Sequence, residues 1–192
     1  MIHLQLSVTK RGTIHLCKIG ILLLDRDFEH DIYELIKAFY PEGDTHSLYE
    51  KDEEEYDIFF TVKKDNDNFV IKYDTKDQKG VASAEVIRGA DGDSSQETHE
   101  KLMDAHELRK ANKDSLKYAL YNVLVKLTGR TLPWGNLTGI RPAKLAMGMI
   151  ESGMKNTEIA QEMRERYLVS AKKTALAITI ANRERALLQD ID

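Results

Sequence analysis

Residues 19–39 read IGILLLDRDFEHDIYELIKAF, and the fold class turns on how this stretch divides. Ile19, Gly20, Ile21, Leu22, Leu23 and Leu24 form a short apolar run without helical spacing, which reads as a buried strand. Asp25, Arg26 and Asp27 interrupt it. Phe28, Ile32, Leu35, Ile36 and Phe39 then recur every three or four residues, the pattern of an amphipathic helix over 28–39. Asp27 is placed to cap that helix, and Pro41 and Gly43 stop it. A buried strand feeding a one-sided helix calls for a sheet with helices against one face.

Reading outward supports this. Upstream, Ile2, Leu4, Leu6 and Val8 alternate as a short strand would, Lys10-Arg11-Gly12 reads as a turn, and Ile14 and Leu16 resume the alternation. Downstream, 49–57 is an acidic loop, and three strands are predicted at 58–63, 69–73 and 81–87. The first two are joined across Asp65-Asn66-Asp67-Asn68, a hairpin connection. Residues 89–95 read as a loop. A long helix is predicted from about 96 to 127 on the stripe Leu102, Ala105, Leu108, Leu116, Ala119, Leu120, Val123, Leu124 and Leu127, with Gly129 ending it. Beyond a loop at 131–140, Pro142 suits a first helical turn. Helices follow at about 142–151, 157–166 and 170–187, with Thr157, Glu158 and Ser170 at cap positions. The fold class is therefore α+β: a small N-terminal α+β sandwich followed by an all-helical C-terminal portion. The boundaries fall as an extra segment at 1–18, read either as a strand pair or as disordered, an α+β domain at 19–130, and a loop with a helical bundle at 131–192.

Charge divides the chain as well. Residues 25–100 hold 22 acids against 9 bases, whereas 141–185 hold 9 bases against 5 acids. Two regions with different neighbours are implied. The net charge of -4 argues against a chain that coats nucleic acid along its length. The longest apolar run is far below the ~18 residues of a membrane span. Lys10, Arg11 and Lys18 precede that run, but it is too short for a signal peptide and no small-residue cleavage site follows. A single cysteine, Cys17, cannot form an internal disulfide or a multi-cysteine metal site within one copy. A cytoplasmic protein is expected.

The most distinctive stretch is LPWGNLTGIRPAKL, residues 132–145, which contains the only tryptophan, Trp134. It reads as a glycine-hinged loop entering a proline-started helix with Arg141 and Lys144 in its first turn. Cations at a helix N-terminus oppose the macrodipole, so both residues are expected to meet partners elsewhere: a carboxylate, a phosphate or another domain's acids. The stretch resembles the W-G-x-L-T-G-I-R-P-x-K-L signature that precedes the catalytic domain in HemZ-type oxygen-independent coproporphyrinogen III dehydrogenases. Trp134, Gly135, Leu137, Thr138, Gly139, Ile140, Arg141, Pro142, Lys144 and Leu145 carry the likeness. Ser152-Gly153-Met154 and Tyr167-Leu168 continue it, and the order of elements over 19–127 is similar.

The resemblance implies a radical S-adenosylmethionine enzyme of haem biosynthesis. Such enzymes hold a [4Fe-4S] cluster on C-x3-C-x2-C, cleave S-adenosylmethionine to a radical and decarboxylate the propionates of coproporphyrinogen III to vinyl groups. This chain has no such motif, and a cluster needs thiolates. In the family the cysteines follow shortly after the last helix read here. The expectation is thus an accessory N-terminal region, either a fragment or a standalone relative, with no radical chemistry of its own. The cluster and S-adenosylmethionine belong to a radical domain outside this chain. That domain and coproporphyrinogen III are the expected partners, with no membrane and no nucleic acid.

Among individual residues, Trp134 reads as an anchor for its loop, and Thr138, Arg141 and Lys144 as interface or substrate-carboxylate contacts. No catalytic, cofactor or metal residue is expected. His99 and His106 lie two helical turns apart, too far to share an ion, and His30 between Glu29 and Asp31 makes no recognised set. Nucleotide-binding and serine-hydrolase motifs are absent. The alternative from another class is a non-enzymatic binding module, with a helix-turn-helix at 157–183 that would read DNA. Against it, Tyr167-Leu168-Val169 replaces a glycine turn, and the would-be reading helix is apolar through Ala175, Leu176, Ala177, Ile178 and Ile180.

Overall fold

The computed structural model describes residues 17–88 and 105–189. The segment at 2–16, the loop at 89–95 and the predicted helix start at 96–104 lie outside the described residues. The strand at the head of the deciding stretch is β1 (Lys18–Leu23), followed by α1 (Glu29–Phe39), β2 (Asp44–Leu48), β3 (Ile58–Asp65), β4 (Asn68–Thr75), β5 (Lys79–Glu85) and α2 (Ala105–Thr128). Then come α3 (Pro142–Glu151), α4 (Asn156–Glu165) and α5 (Ala171–Gln189). The α+β class with a helical C-terminal part holds.

The five strands lie in the order β2-β1-β3-β4-β5. β1 sits between β2 and β3, parallel to both, while β3, β4 and β5 form an antiparallel meander. The sheet is mixed. Ile19, Ile21 and Leu23 alternate onto one face with Phe60, Val62, Phe69, Ile71 and Tyr73, and α1 and α2 cover that face. Phe39 of α1 meets Tyr121 of α2 edge to face at 5.3 Å, which closes the layer between the helices. The hairpin joining β3 to β4 turns at Asn66 (φ 50), a left-handed position that asparagine tolerates.

Three readings need correction. Four strands follow α1 where three were predicted, because β2 is one. Its residues, Asp44-Thr45-His46-Ser47-Leu48, carry little apolar alternation, and the strand exists through backbone pairing with β1 at the sheet edge. Asp27 does not cap α1: Phe28 occupies the cap position at φ 62, and Asp27 instead accepts from Arg109 Nη1 at 3.0 Å. The left-handed conformation at Phe28 costs about 1–2 kcal/mol. Burying its ring against Phe69, at 6.1 Å, is worth roughly 1.5–3 kcal/mol and prevails. At α4 the cap position is Lys155, not Thr157, and the Lys155 N–H donates to Glu158 Oε2 at 2.7 Å.

α3 spans the predicted residues, and α4 and α5 lie within two residues of their predicted ends. They gather Leu137, Ala146, Ile150, Ile159, Met163, Tyr167, Val169, Ala177 and Ala181 into a second apolar cluster, separate from the one under the sheet. No helix among the described residues is long and apolar enough to cross a membrane.

Candidate functional site

α2 ends at Gly129, whose φ of 68 supplies the left-handed turn that releases the chain. The loop that follows is fixed at once, because the Leu132 N–H donates to Tyr121 Oη at 3.0 Å. Pro133 to Leu137 then runs beside Arg166 to Ser170. The Asn136 N–H donates to the Tyr167 carbonyl at 3.0 Å, and the Ser170 N–H to the Pro133 carbonyl at 3.1 Å. Asn136 Nδ2 adds a bond to the Arg166 carbonyl at 3.4 Å. At Gly135 (φ 59) any Cβ would overlap the Tyr167 carbonyl oxygen, so this crossing admits glycine alone. Trp134 is half-buried against the second cluster, with Lys173 Nζ 5.0 Å from its ring centroid.

Two side chains of α2, about one turn apart, bind this assembly to the sandwich. Asp114 accepts from Arg166 Nη2 at 2.9 Å and from Tyr167 Oη at 3.3 Å. Burial raises the Tyr167 phenol to about 12, and the Asp114 carboxylate adds to the rise. Lys117 Nζ donates to Thr138 Oγ1 at 2.9 Å and lies 3.6 Å from Asp31 of α1. The Lys117 side chain is 7% exposed, and burial lowers its pKa although Asp31 opposes the shift. Thr138 therefore belongs to a polar joint of α1, α2 and the loop.

Beyond Thr138 the character changes. Gly139 turns at φ 72, Ile140 is 47% exposed, and Arg141 and Lys144 are exposed at the start of α3. Neither cation has an ion pair or side-chain hydrogen bond among the described residues. Of the four singled-out residues, Trp134 and Thr138 are thus held inward as fixings, and Arg141 and Lys144 are exposed at the N-terminal turn of α3. Lys117, Asp114 and Arg166 escaped the sequence reading, which named Tyr167 only within the family signature and Asp31 only beside His30. One signal was available: Lys117 lies three residues before Leu120 and seven before Leu124, on the buried stripe of α2.

No group of three or more His, Cys, Asp and Glu among the described residues could hold a metal ion. Cys17 is half-buried, and burial first, then Asp57, raises its thiol pKa. One thiol held in this way does not fit a cluster that needs three thiolates. A groove of about 780 Å3 opens on the sheet face away from the helices, over Leu22, Phe59, Thr61 and Lys72. Several of its cations are committed, Lys79 to Asp74 at 2.6 Å and Lys76 to Asp57 at 2.7 Å.

No protein-family model matches the chain, and no solved structure matches it. The chain is similar to the oxygen-independent coproporphyrinogen-III oxidase-like protein HemZ of Bacillus subtilis (strain 168), with 35% identity over 104 residues. The aligned part is 52% of this chain and 21% of that protein, so the chain spans about a fifth of the relative's length.

Proposed function

We propose that this chain serves coproporphyrinogen oxidation as a non-catalytic accessory region, and that it packs the 131–145 segment against a radical domain where it helps cover or orient the substrate. The observation that carries the reading is the 35% identity over 104 residues to a protein named for that activity. The geometry supports the role. Trp134, Gly135, Asn136 and Thr138 hold the loop from behind, leaving Ile140, Arg141 and Lys144 directed outward without internal partners. An arginine guanidinium binds carboxylates through two parallel hydrogen bonds, and a neighbouring ammonium adds charge. Propionates of a porphyrinogen and acids on a facing domain both satisfy that pair. The cluster and S-adenosylmethionine belong on the other domain, because this chain offers one thiol.

The test is to add the chain in trans to a catalytic domain prepared without it and follow coproporphyrinogen consumption together with binding. Activity should return on addition. Binding without any return of activity would overturn the accessory role.

A further inference from the structure

Among the described residues β5 is the last strand of the sheet, and one of its sides pairs with no other strand. Its backbone register is fixed: the Val86 N–H donates to the Asp67 carbonyl at 2.7 Å, in line with the β4–β5 ladder. Antiparallel bonding alternates, so Gly80, Ala82 and Ala84 turn their N–H and C=O groups toward β4. Lys79, Val81, Ser83 and Glu85 turn theirs to the open side. There the Glu85 carbonyl accepts from Ser115 Oγ of α2 at 2.9 Å.

Edges of this kind are normally guarded by proline, a bulge or an inward-pointing charge. β5 has none of these over Lys79 to Ser83: its pairing with β4 runs unbroken from Lys79 to Glu85, and α2 covers only the far end, where Ser115 and Asn112 bond the backbone of Glu85 and Ile87. Beside it a groove of about 480 Å3 lies between β5 and α2, floored by Ala82, Ala84, Ala119 and Val123 and rimmed by Tyr118 and Lys126. Tyr118 is 41% exposed and Val81 66%.

We propose that this edge pairs with the same edge of a second copy, antiparallel about a two-fold axis at Ala82, joining the two sheets into one. Charge selects both the occupant and the register. With Ala82 opposite itself, Lys79 of each copy faces Glu85 of the other, at both ends of the pairing and on the face away from the helices, so that its ammonium, 2.6 Å from Asp74 of its own chain, lies between two carboxylates. The Glu85 carboxylate has no ion pair within the described residues. Val81 and Ser83 then face each other and exchange their outward backbone bonds. Sliding by two residues in either direction sets Lys79 against Ser83 or Glu85 against Val81 and loses both ion pairs. Self-pairing is isologous, so each favourable contact occurs twice. The small residues at 80, 82 and 84 let the two α2 helices approach across the join, where Tyr118 meets the neighbouring groove.

Sedimentation velocity on the whole chain over about 1–200 µM tests this, and a concentration-dependent dimer is expected. Ser83→Pro should abolish it with the circular dichroism unchanged, because the Ser83 N–H points outward and its loss breaks no bond to β4. Glu85→Lys should weaken the dimer roughly 5- to 30-fold by setting like charges opposite at both ends, and adding Lys79→Glu should restore it. A monomer at every concentration, or a dimer indifferent to Ser83→Pro, overturns the proposal and leaves the edge to another strand or to none. A dimer lost with Ser83→Pro yet unchanged by Glu85→Lys overturns the register.

Discussion

The ammonium of Lys117 ends 2.9 Å from Thr138 Oγ1, so a buried lysine of the sandwich is the tether of the loop that presents Arg141 and Lys144. Burial lowers the folded pKa of Lys117 below its unfolded value near 10.5. Between the two values the unfolded chain binds more protons, so stability rises with pH through that window and is lost as pH falls back through it. Lys117→Met removes this rise. Urea titrations of both proteins from pH 7 to 10.5 should show the variant's curve flatter in the alkaline range. Parallel curves would mean that Lys117 titrates as a solvated amine.

Gly135 and Gly139 make a matched pair, since both have positive φ and only one is crowded. Gly135→Ala should cost roughly 3 kcal/mol, combining left-handed strain with overlap on the Tyr167 carbonyl. Gly139→Ala, with open space around it, should cost about 1 kcal/mol. Trp134 is the single tryptophan, and its fluorescence during urea unfolding reads both changes. Equal losses would show that the crossing with residues 166–170 carries no weight.

Arg141→Glu with Lys144→Glu should leave stability within about 0.5 kcal/mol of the parent, as expected for exposed side chains without internal partners. The same double variant should fail to restore activity in trans. A stable variant that restores activity fully would remove these cations from the working surface.

Arg130 presents the opposite case, because its Nε and Nη2 are buried with no hydrogen-bond acceptor among the described residues. It lies near Tyr40, whose phenol is raised to about 12 by burial and by Cys17, with Arg130 pulling the other way. Arg130→Met keeps the aliphatic stem and deletes the two unmatched donors, so it should raise stability by roughly 1 kcal/mol. Thermal melts measure it, and a clear loss would show that the guanidinium has a partner in solution.

Much of this was legible in advance, for identifiable reasons. β1, α1 and most of α2 carry large apolar residues at fixed spacings, and burial against one sheet face imposes those spacings. β2 was illegible because it is held by backbone bonds to β1 while its side chains are small or polar. Asp27 looked like a cap because the local pattern could not register how deeply the Phe28 ring inserts. At the site, residues 131–140 read correctly as a loop ahead of a proline-started helix. Their anchorage did not, since Asn136 and Tyr167 meet across a long separation with no shared periodicity. Lys117 was passed over among its leucines, although a cation on an apolar stripe needs partners wherever the stripe is buried.

The central position of β1 has a kinetic consequence. Being parallel to both neighbours, it cannot join either through a tight turn, and each pairing must wait for a longer connection to close. The β3–β4 hairpin has no such delay and forms on the scale of about 1–10 µs. The hairpin is therefore expected to form first and offer the free side of β3 as a template, with β1 docking later and β2 last. Conservative truncations should record that order as high φ-values for Val62→Ala and Ile71→Val and low ones for Ile21→Val. The strand that is synthesised first among the described elements thus becomes the keystone that is set late.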